Sequence, residues 1–346
     1  MTSAQAFYQQ LQDRLHQGPV VLATIVKTRG SAPREVGAKM AICPDETIIG
    51  TIGGGAGEGK VIQQARQLLN AGSPQLVDID LTGAPKRDIQ GVCGGKVQVW
   101  LKQWSGQAAI ALVDQILQLL AMGEPGQLVT PFQADQFPYL LNGSGLGLQS
   151  DRAQGVSDHF VEVIEPPPRL LIVGAGHVAA ALAKVAQFAD FQIAVHDDRA
   201  ELVTPQRFPN ALLLTGPMDE VLDKLVDSAH LYVALVARGY QQDLIAMQSI
   251  LESACDYDYI GAIGSQKRIQ MIYQALQQQM LPVEKLNPFY APIGLDIGAL
   301  TPEEIAVSIC AELIKVRRGG TGLSLSQRMQ TQKITTTPLK IHLPQR

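Results

Sequence analysis

The ten residues from 170 to 179 constrain the fold more than any others. Leu170-Leu171-Ile172-Val173 is a continuous apolar run of strand length, and it leads directly into Gly174-Ala175-Gly176-His177-Val178-Ala179. Val178, Leu182, Val185 and Phe188 then continue at helical spacing. A buried strand, a G-x-G-x-x-A turn and an amphipathic helix form the opening unit of a doubly wound α/β domain. Further apolar runs at 192–196, 211–214, 231–236 and 259–263 alternate with helical stretches, which predicts a parallel, Rossmann-like sheet.

Each small residue of the turn has its own task. Gly174 permits the tight turn, Gly176 lets backbone approach a phosphate, and Ala179 lets helix pack on strand. The helix N-terminus, at His177, then favours an anion. Asp197 follows Gly174 by 23 residues, at the end of the second strand, where an acid can hold ribose hydroxyls. Two more segments leave strands at the same edge: Arg238-Gly239-Tyr240-Gln241-Gln242-Asp243, and Gly264-Ser265 within the run from Tyr259 to Arg268. A domain of this type can also lack a ligand, since fold alone does not fix function.

Pro166-Pro167-Pro168 precedes this half as a stiff spacer. The expected organisation is a mixed α+β, glycine-rich domain over 1–165, the Rossmann-like domain over 166–318, and a disordered tail over 319–346. The N-terminal half reads as a helix near 5–17, a strand at 20–27, a hairpin around Pro44-Asp45-Glu46, a helix over about 58–71, and strands at 75–81 and 96–101. A helix near 108–122 and strands near 127–131, 139–142 and 159–165 follow. At the far end, Thr301-Pro302-Glu303-Glu304 reads as a helix start, with Thr301 as N-cap and Glu304 as capping-box partner.

Three N-terminal clusters invite a ligand. Arg29-Gly30-Ser31-Ala32-Pro33-Arg34, followed by Lys39, gathers cations around a turn, although Ser-Ala-Pro is also ordinary turn chemistry. The loop from Gly50 to Glu58, with Gly53-Gly54-Gly55 at its centre, would be costly to order unless backbone must come close to something. It lacks the Gly-Lys-Ser/Thr of a P-loop. Gly91-Val92-Cys93-Gly94-Gly95 offers a thiol flanked by glycines, and such a cysteine is either reactive or an inert buried residue.

Composition excludes several classes. Net charge is −4, unsuited to a general nucleic-acid binder. Cys43, Cys93, Cys255 and Cys310 are widely separated, so neither a disulfide framework nor a structural zinc site is expected. The N-terminus has no signal-peptide core, and no apolar run spans a membrane; the nearest candidate, 108–122, is broken by Asp114, Gln115 and Gln118. A cytoplasmic protein is expected.

In order along the chain, GSAPREVGAKM, GTIGGG with Glu58, VCGG, LLIVGAGHVA, HDDR, YIGAIGS and PIGLDIGALTPEEIAVSI resemble the XdhC/CoxI family of xanthine dehydrogenase accessory factors. The resemblance covers most of residues 20–317. It implies a chaperone rather than a final catalyst, binding the molybdenum cofactor (molybdopterin or its cytosine dinucleotide form). Such a protein protects the cofactor while a sulfido ligand is installed, with a cysteine desulfurase as sulfur donor. It then aids insertion into a molybdenum hydroxylase client. On this basis Arg29, Ser31, Arg34, Lys39, Gly53, Gly54, Gly55 and Glu58 are candidates for the cofactor's charged end. Cys93 is the candidate near molybdenum, since a soft metal and its dithiolene favour thiol contact. Gly174, Gly176, His177, Asp197, Arg238, Asp243, Gly264 and Ser265 are candidates in the second half. A homodimer is expected from the commonness of two-fold oligomers. The alternatives are an NAD(P)-dependent oxidoreductase, with His177 or His196 as proton donor, and a nucleotide-sensing protein without chemistry.

Overall fold

A computed structural model describes residues 3–81, 94–142, 158–226, 228–279 and 289–327. The chain divides into two units, Met1–Pro168 with Asp227–His230, and Arg169–Val226 with Leu231–Arg346. The boundary follows the last residue of the proline triplet.

The first unit opens with α1 (Ser3–Leu15), then β1 (Val20–Arg29), β2 (Lys39–Ile42), β3 (Ile48–Gly50), α2 (Gly55–Ala71), β4 (Gln75–Asp80) and β5 (Lys96–Trp104). It continues through α3 (Gly106–Met122), β6 (Gly126–Pro131), β7 (Tyr139–Asn142) and β8 (His159–Ile164). Five strands pair antiparallel in the order β3-β2-β1-β5-β4, and β7-β6-β8 form a second antiparallel sheet.

β1 explains why this sheet is covered on both sides. Val20 and Leu22 join a core with Leu11 of α1 and Ile116 of α3, whereas Val21, Ala23 and Ile25 join one with Val61 and Leu68 of α2. Such alternation is what a period of two produces, and a slip of one residue would invert it. Lys102 of β5 is buried, and its Nζ donates to the carbonyls of Gln133 (3.2 Å), Ala134 (3.4 Å) and Gln136.

The second unit contains β9 (Arg169–Val173), α4 (His177–Phe188), β10 (Gln192–His196), β11 (Leu212–Leu214), α5 (Met218–Asp223) and β12 (Leu231–Leu235). After these come α6 (Tyr240–Glu252), β13 (Tyr259–Ala262), α7 (Gln266–Gln278), β14 (Phe289–Tyr290) and α8 (Pro302–Arg318). All six strands are parallel, in the order β11-β10-β9-β12-β13-β14. This is the 3-2-1-4-5-6 order of the dinucleotide-binding fold. β9 sits at its centre: Leu170 and Ile172 face the core shared with α4 and α8, and Leu171 and Val173 face the one shared with α6 and α7. The α/β class and the doubly wound sheet expected from the sequence are therefore present.

α2 begins at Gly55, three residues before the predicted start, so its first turn lies inside the glycine loop. β14 is only two residues long and has no recognisable sequence signal. The capping box of α8 forms as predicted: Glu304 N donates to Thr301 Oγ1 (3.2 Å), and Thr301 N donates to Glu304 Oε2 (3.0 Å). Of the tail expected to be disordered, residues 319–327 are described and 328–346 lie outside the described residues. No described helix is long and apolar enough to cross a membrane.

Candidate functional site

In the first unit three loops that are distant in sequence meet. β1 delivers Arg29 to the edge of the sheet, and the chain turns at Gly30. A Cβ built on Gly95 would stand 2.2 Å from Ser31 O and 2.7 Å from Arg29 O. Backbone thus lies against backbone, and only glycine fits at 95. A Cβ on Gly53 would stand 2.4 Å from Pro33 Cγ and 3.8 Å from Arg34 Cγ, so the arginine turn also packs on the glycine loop.

Glu58, in the first turn of α2, fixes that loop. Its Oε2 accepts from Thr51 Oγ1 (2.6 Å), Ile52 N (3.1 Å) and Gly54 N (3.0 Å). Burial alone would raise its pKa, but these bonds prevail and hold the carboxylate below its usual range. Glu58, expected as a ligand residue, thus has one oxygen engaged by its own loop, which it positions.

What this loop presents is a helix N-terminus. The N-cap is Gly54, which supplies no side-chain cap to the first N–H groups of α2. Gly54, Gly55 and Ala56 are exposed, and a Cβ at Gly54 or Gly55 would meet nothing within 4 Å. Arg29, Ser31 and Arg34 are exposed beside it. Among the described residues neither arginine has an ion-pair partner. An uncapped helix N-terminus with two exposed arginines in the neighbouring turn has the chemistry of a candidate anion site, although the Glu58 carboxylate already takes Gly54 N.

Lys39, expected at the same site, is already paired. Its Nζ pairs with Glu162 of β8 and donates to Gly37 O (3.1 Å), with both charged side chains nearly buried. A desolvated ammonium needs such a partner, and this one lies too far along the chain for sequence spacing to reveal. Cys93 lies outside the described residues, as do Gly91 and Val92. Among the described residues no group of three His, Cys, Asp or Glu side chains is arranged to hold a metal ion.

In the second unit the glycine turn forms as its sequence requires. Gly174 has φ 112°, and a Cβ there would stand 2.8 Å from Val236 O. Gly176 is the N-cap of α4, and His177 at its first position is exposed. Asp197 does not wait for a ribose. Its Oδ2 accepts from Ala175 N (2.6 Å) and Arg199 Nη2 (2.9 Å), and its Oδ1 from Arg199 N and Nε, both at 2.9 Å. Burial would raise its pKa, but the bonds from Arg199 and Ala175 hold it far below the usual carboxylate range. Asp197, expected as a ligand residue, here braces the glycine turn against the end of β10.

The other carboxyl-edge residues are also paired. Arg238 Nη2 donates to Asp198 Oδ2 (3.2 Å), which links the loops after β12 and β10. Asp243 is fully buried and accepts from Arg268 Nη2. Its Oδ1 has no partner among the described residues. Burial, opposed by the charge of Arg268, pushes its pKa up to about 6. Asp243 therefore faces a guanidinium of its own chain; its pairing with Arg268, like that of Asp197 with Arg199, is not evident from sequence spacing. Ser265 caps α7, accepting from Arg268 N (3.3 Å), and Gly264 before it takes φ 154°. His196 Nε2 lies 2.9 Å from Gly216 O and is buried, which gives it a structural place.

Comparison with known proteins gives a consistent picture. Two family models match: "XdhC Rossmann domain" over residues 170–313 and "XdhC and CoxI family" over 14–80. The uncharacterized protein YqeB of Escherichia coli (strain K12) is 28% identical over 309 residues, covering 88% of this chain. The chain spans 44% of that relative's length. A probable xanthine dehydrogenase subunit of Bacillus subtilis (strain 168) is 27% identical over 321 residues, covering 87% of this chain and 94% of the relative. The molybdenum cofactor insertion chaperone PaoD of Escherichia coli (strain K12) is 25% identical over 303 residues, covering 86% and 83%. A crystal structure described as a xanthine dehydrogenase from Bacillus halodurans shares the fold, with TM-score 0.73 at 24% identity over 93% of this chain and 99% of that one.

Proposed function

The chain belongs to the XdhC and CoxI family, and from that premise we propose that it is a maturation chaperone, holding a molybdenum cofactor for insertion into a xanthine dehydrogenase-type enzyme. The relative named as a molybdenum cofactor insertion chaperone supports the cofactor, and the one named as part of a probable xanthine dehydrogenase supports the client. The observation that carries the reading is the anion surface of the first unit: Arg29 and Arg34 beside the open N-terminus of α2.

The donor set fits the phosphate-bearing end of a pterin cofactor. Arg29 and Arg34 would neutralise its charge, Ser31 would donate a hydroxyl, and the uncapped N–H groups in the first turn of α2 would offer further donors. Gly53, Gly54 and Gly55 keep side chains out of the way, and Glu58 holds the loop in register. Cys93 is proposed for the soft metal–sulfur end. When bound, the cofactor carries the oxidation–reduction chemistry that the client uses; this chain's residues bind, orient and shield it. Sulfuration by a cysteine desulfurase and a cytoplasmic setting belong to the same proposal, as does a homodimer. The domain limits 1–165 and 166–318 are kept as its two functional parts, with Gly174, Gly176 and His177 as a second anion-binding turn suited to a cytosine dinucleotide form.

Asp197 counts against the alternative of an NAD(P)-dependent oxidoreductase, because its carboxylate is already saturated by Ala175 and Arg199. The test is anaerobic incubation of the purified chain with molybdenum cofactor, then gel filtration and assay of retained molybdenum and pterin, with NAD(P)H in parallel. Stoichiometric pterin that falls at least about ten-fold in R29A/R34A supports the proposal; each lost charge-assisted contact is worth about 1.5–3 kcal/mol. Retention of NAD(P)H without pterin overturns it.

A further inference from the structure

A guanidinium stands beside the glycine turn of the second unit. Arg268, in the first turn of α7, sends Nη2 to Ala237 O (3.3 Å), just past the end of β12, and to Asp243 in the first turn of α6. The same Ala237 abuts the turn, since a Cβ on Gly174 would stand 2.9 Å from its N and Cα. Gly264 leaves room for the arginine stem: a Cβ there would stand 3.1 Å from Arg268 Cδ. β9 and β12 are neighbours, with β10 and β11 on one side and β13 and β14 on the other. Strand order reverses at this point, and open α/β sheets bind ligands there, outside the carboxyl ends of the strands.

Arg268 is only partly engaged. Nη2 makes both contacts, Nε is buried without a partner, and Nη1 makes no hydrogen bond among the described residues. The side chain is 22% exposed, so its fork keeps a donor for a second anion. The open N-terminus of α4 and Arg268 flank Ala237, which suits two linked phosphates better than one.

Asp243 is also incomplete. It is fully buried, and its Oδ1 has no partner among the described residues. An ionised oxygen without a donor is costly in the interior, and a neutral one much less so. Arg268 is the charge set against it. On the elements packed around α6, Asp219, Glu220, Asp223 and Lys267 are exposed, Tyr240 and Tyr273 pack on the shared core, and β12 and β13 present Leu235 and Ala262. An anion on Arg268 brings negative charge towards this carboxylate, which favours its protonation.

We infer that Arg268 binds the pyrophosphate diester of a dinucleotide laid over the Gly174–Gly176 turn, and that Asp243 is its positioning residue, taking a proton from solvent as the anion arrives. No bond of the ligand is made or broken. The inference rests on that turn being the second anion site and names the side chains that complete it. Arg29 and Arg34 take no part, so the site of the first unit stands or falls separately.

Cytidine diphosphate choline is the probe, a pyrophosphate diester with no group that titrates between about pH 5.5 and 8. Isothermal titration calorimetry of the full chain, in buffers of different ionisation enthalpy, reads affinity and proton count together. From a starting value of about 6, a further rise of about one unit on binding gives uptake of about half a proton at pH 6.5. Affinity at pH 5.5 then exceeds that at pH 8 about seven-fold. R268K is expected to weaken binding at least about ten-fold, because lysine lacks the fork. R268M/D243N removes the pair as a unit, leaves no buried charge alone, and keeps the test decisive if R268K misfolds. His177 also titrates beside the turn, so protons are counted in H177N. There, adding D243N should bring uptake near zero and hold affinity flat, near the value that H177N reaches in acid. Binding that R268K and R268M/D243N leave unchanged overturns the inference and spares the turn. Uptake undiminished by D243N overturns it as well. Absence of binding overturns both the inference and the second anion site, whereas pterin retention sensitive to R29A/R34A would still support the first.

Discussion

Replacing Glu58 should disorder the loop that shapes the anion surface, and the size of the effect can be worked from its bonds. One oxygen of Glu58 accepts from Thr51, Ile52 and Gly54. A hydrogen bond to a charged acceptor is worth about 1.5–3 kcal/mol, but Glu58 is only half-buried and the released donors regain water, so the three together should give a loss of about 2–4 kcal/mol in E58A. E58Q keeps an acceptor in place without its charge and should lose about 1 kcal/mol. The sign of the pH dependence follows from the carboxylate's lowered pKa. The contribution is fully present above the unfolded-state value and is lost as pH falls through the lower folded one. Urea denaturation of wild type, E58A and E58Q from pH 3 to 8 measures all of this. The gap between wild type and E58Q should be flat at neutral pH and close in acid. Equal stability of E58A and wild type at pH 7, or a gap that widens in acid, would refute the reasoning.

Other outcomes are equally specific. G95A should destabilise by about 1–3 kcal/mol, an overpacking cost, and weaken pterin retention, because its Cβ would strike Ser31 O and Arg29 O; an unchanged melting curve would contradict the close approach. Asp243 has a raised pKa of about 6, so between roughly pH 4 and 6 the native state holds a proton that the unfolded chain has lost. Stability should therefore fall as pH rises through that window, and D243N should flatten the profile. K39M should leave Glu162 buried without its cation and cost about 3–5 kcal/mol; a loss of cofactor binding at unchanged stability would instead return Lys39 to the site.

The sequence was most informative where the signals are local. Capping of α8 by Thr301 and Glu304 is settled within four residues, and the turn at Gly174 within six. The parallel direction of the strands follows from alternation of strands and helices, since parallel strands need crossovers, whereas their order does not. Side-chain roles were less legible because their partners are remote. Lys39 is neutralised by Glu162 across 123 residues, and Asp243 meets Arg268 across 25. Asp197 stands where spacing predicts an acid, yet a residue two positions on, Arg199, takes both of its oxygens. Spacing identifies a position on a fold; it does not tell whether the group there is still available.

The central place of β9 in its sheet also governs the order of assembly. Val173 pairs with His196 on one side and with Leu235 on the other. During synthesis β9 can recruit β10 early, but one of its edges remains unpaired until the residues of β12 have been made. Exposed edges are the aggregation-prone stage of slow parallel sheets. A stall in synthesis before β12 should therefore lower soluble yield without changing the stability of the finished protein.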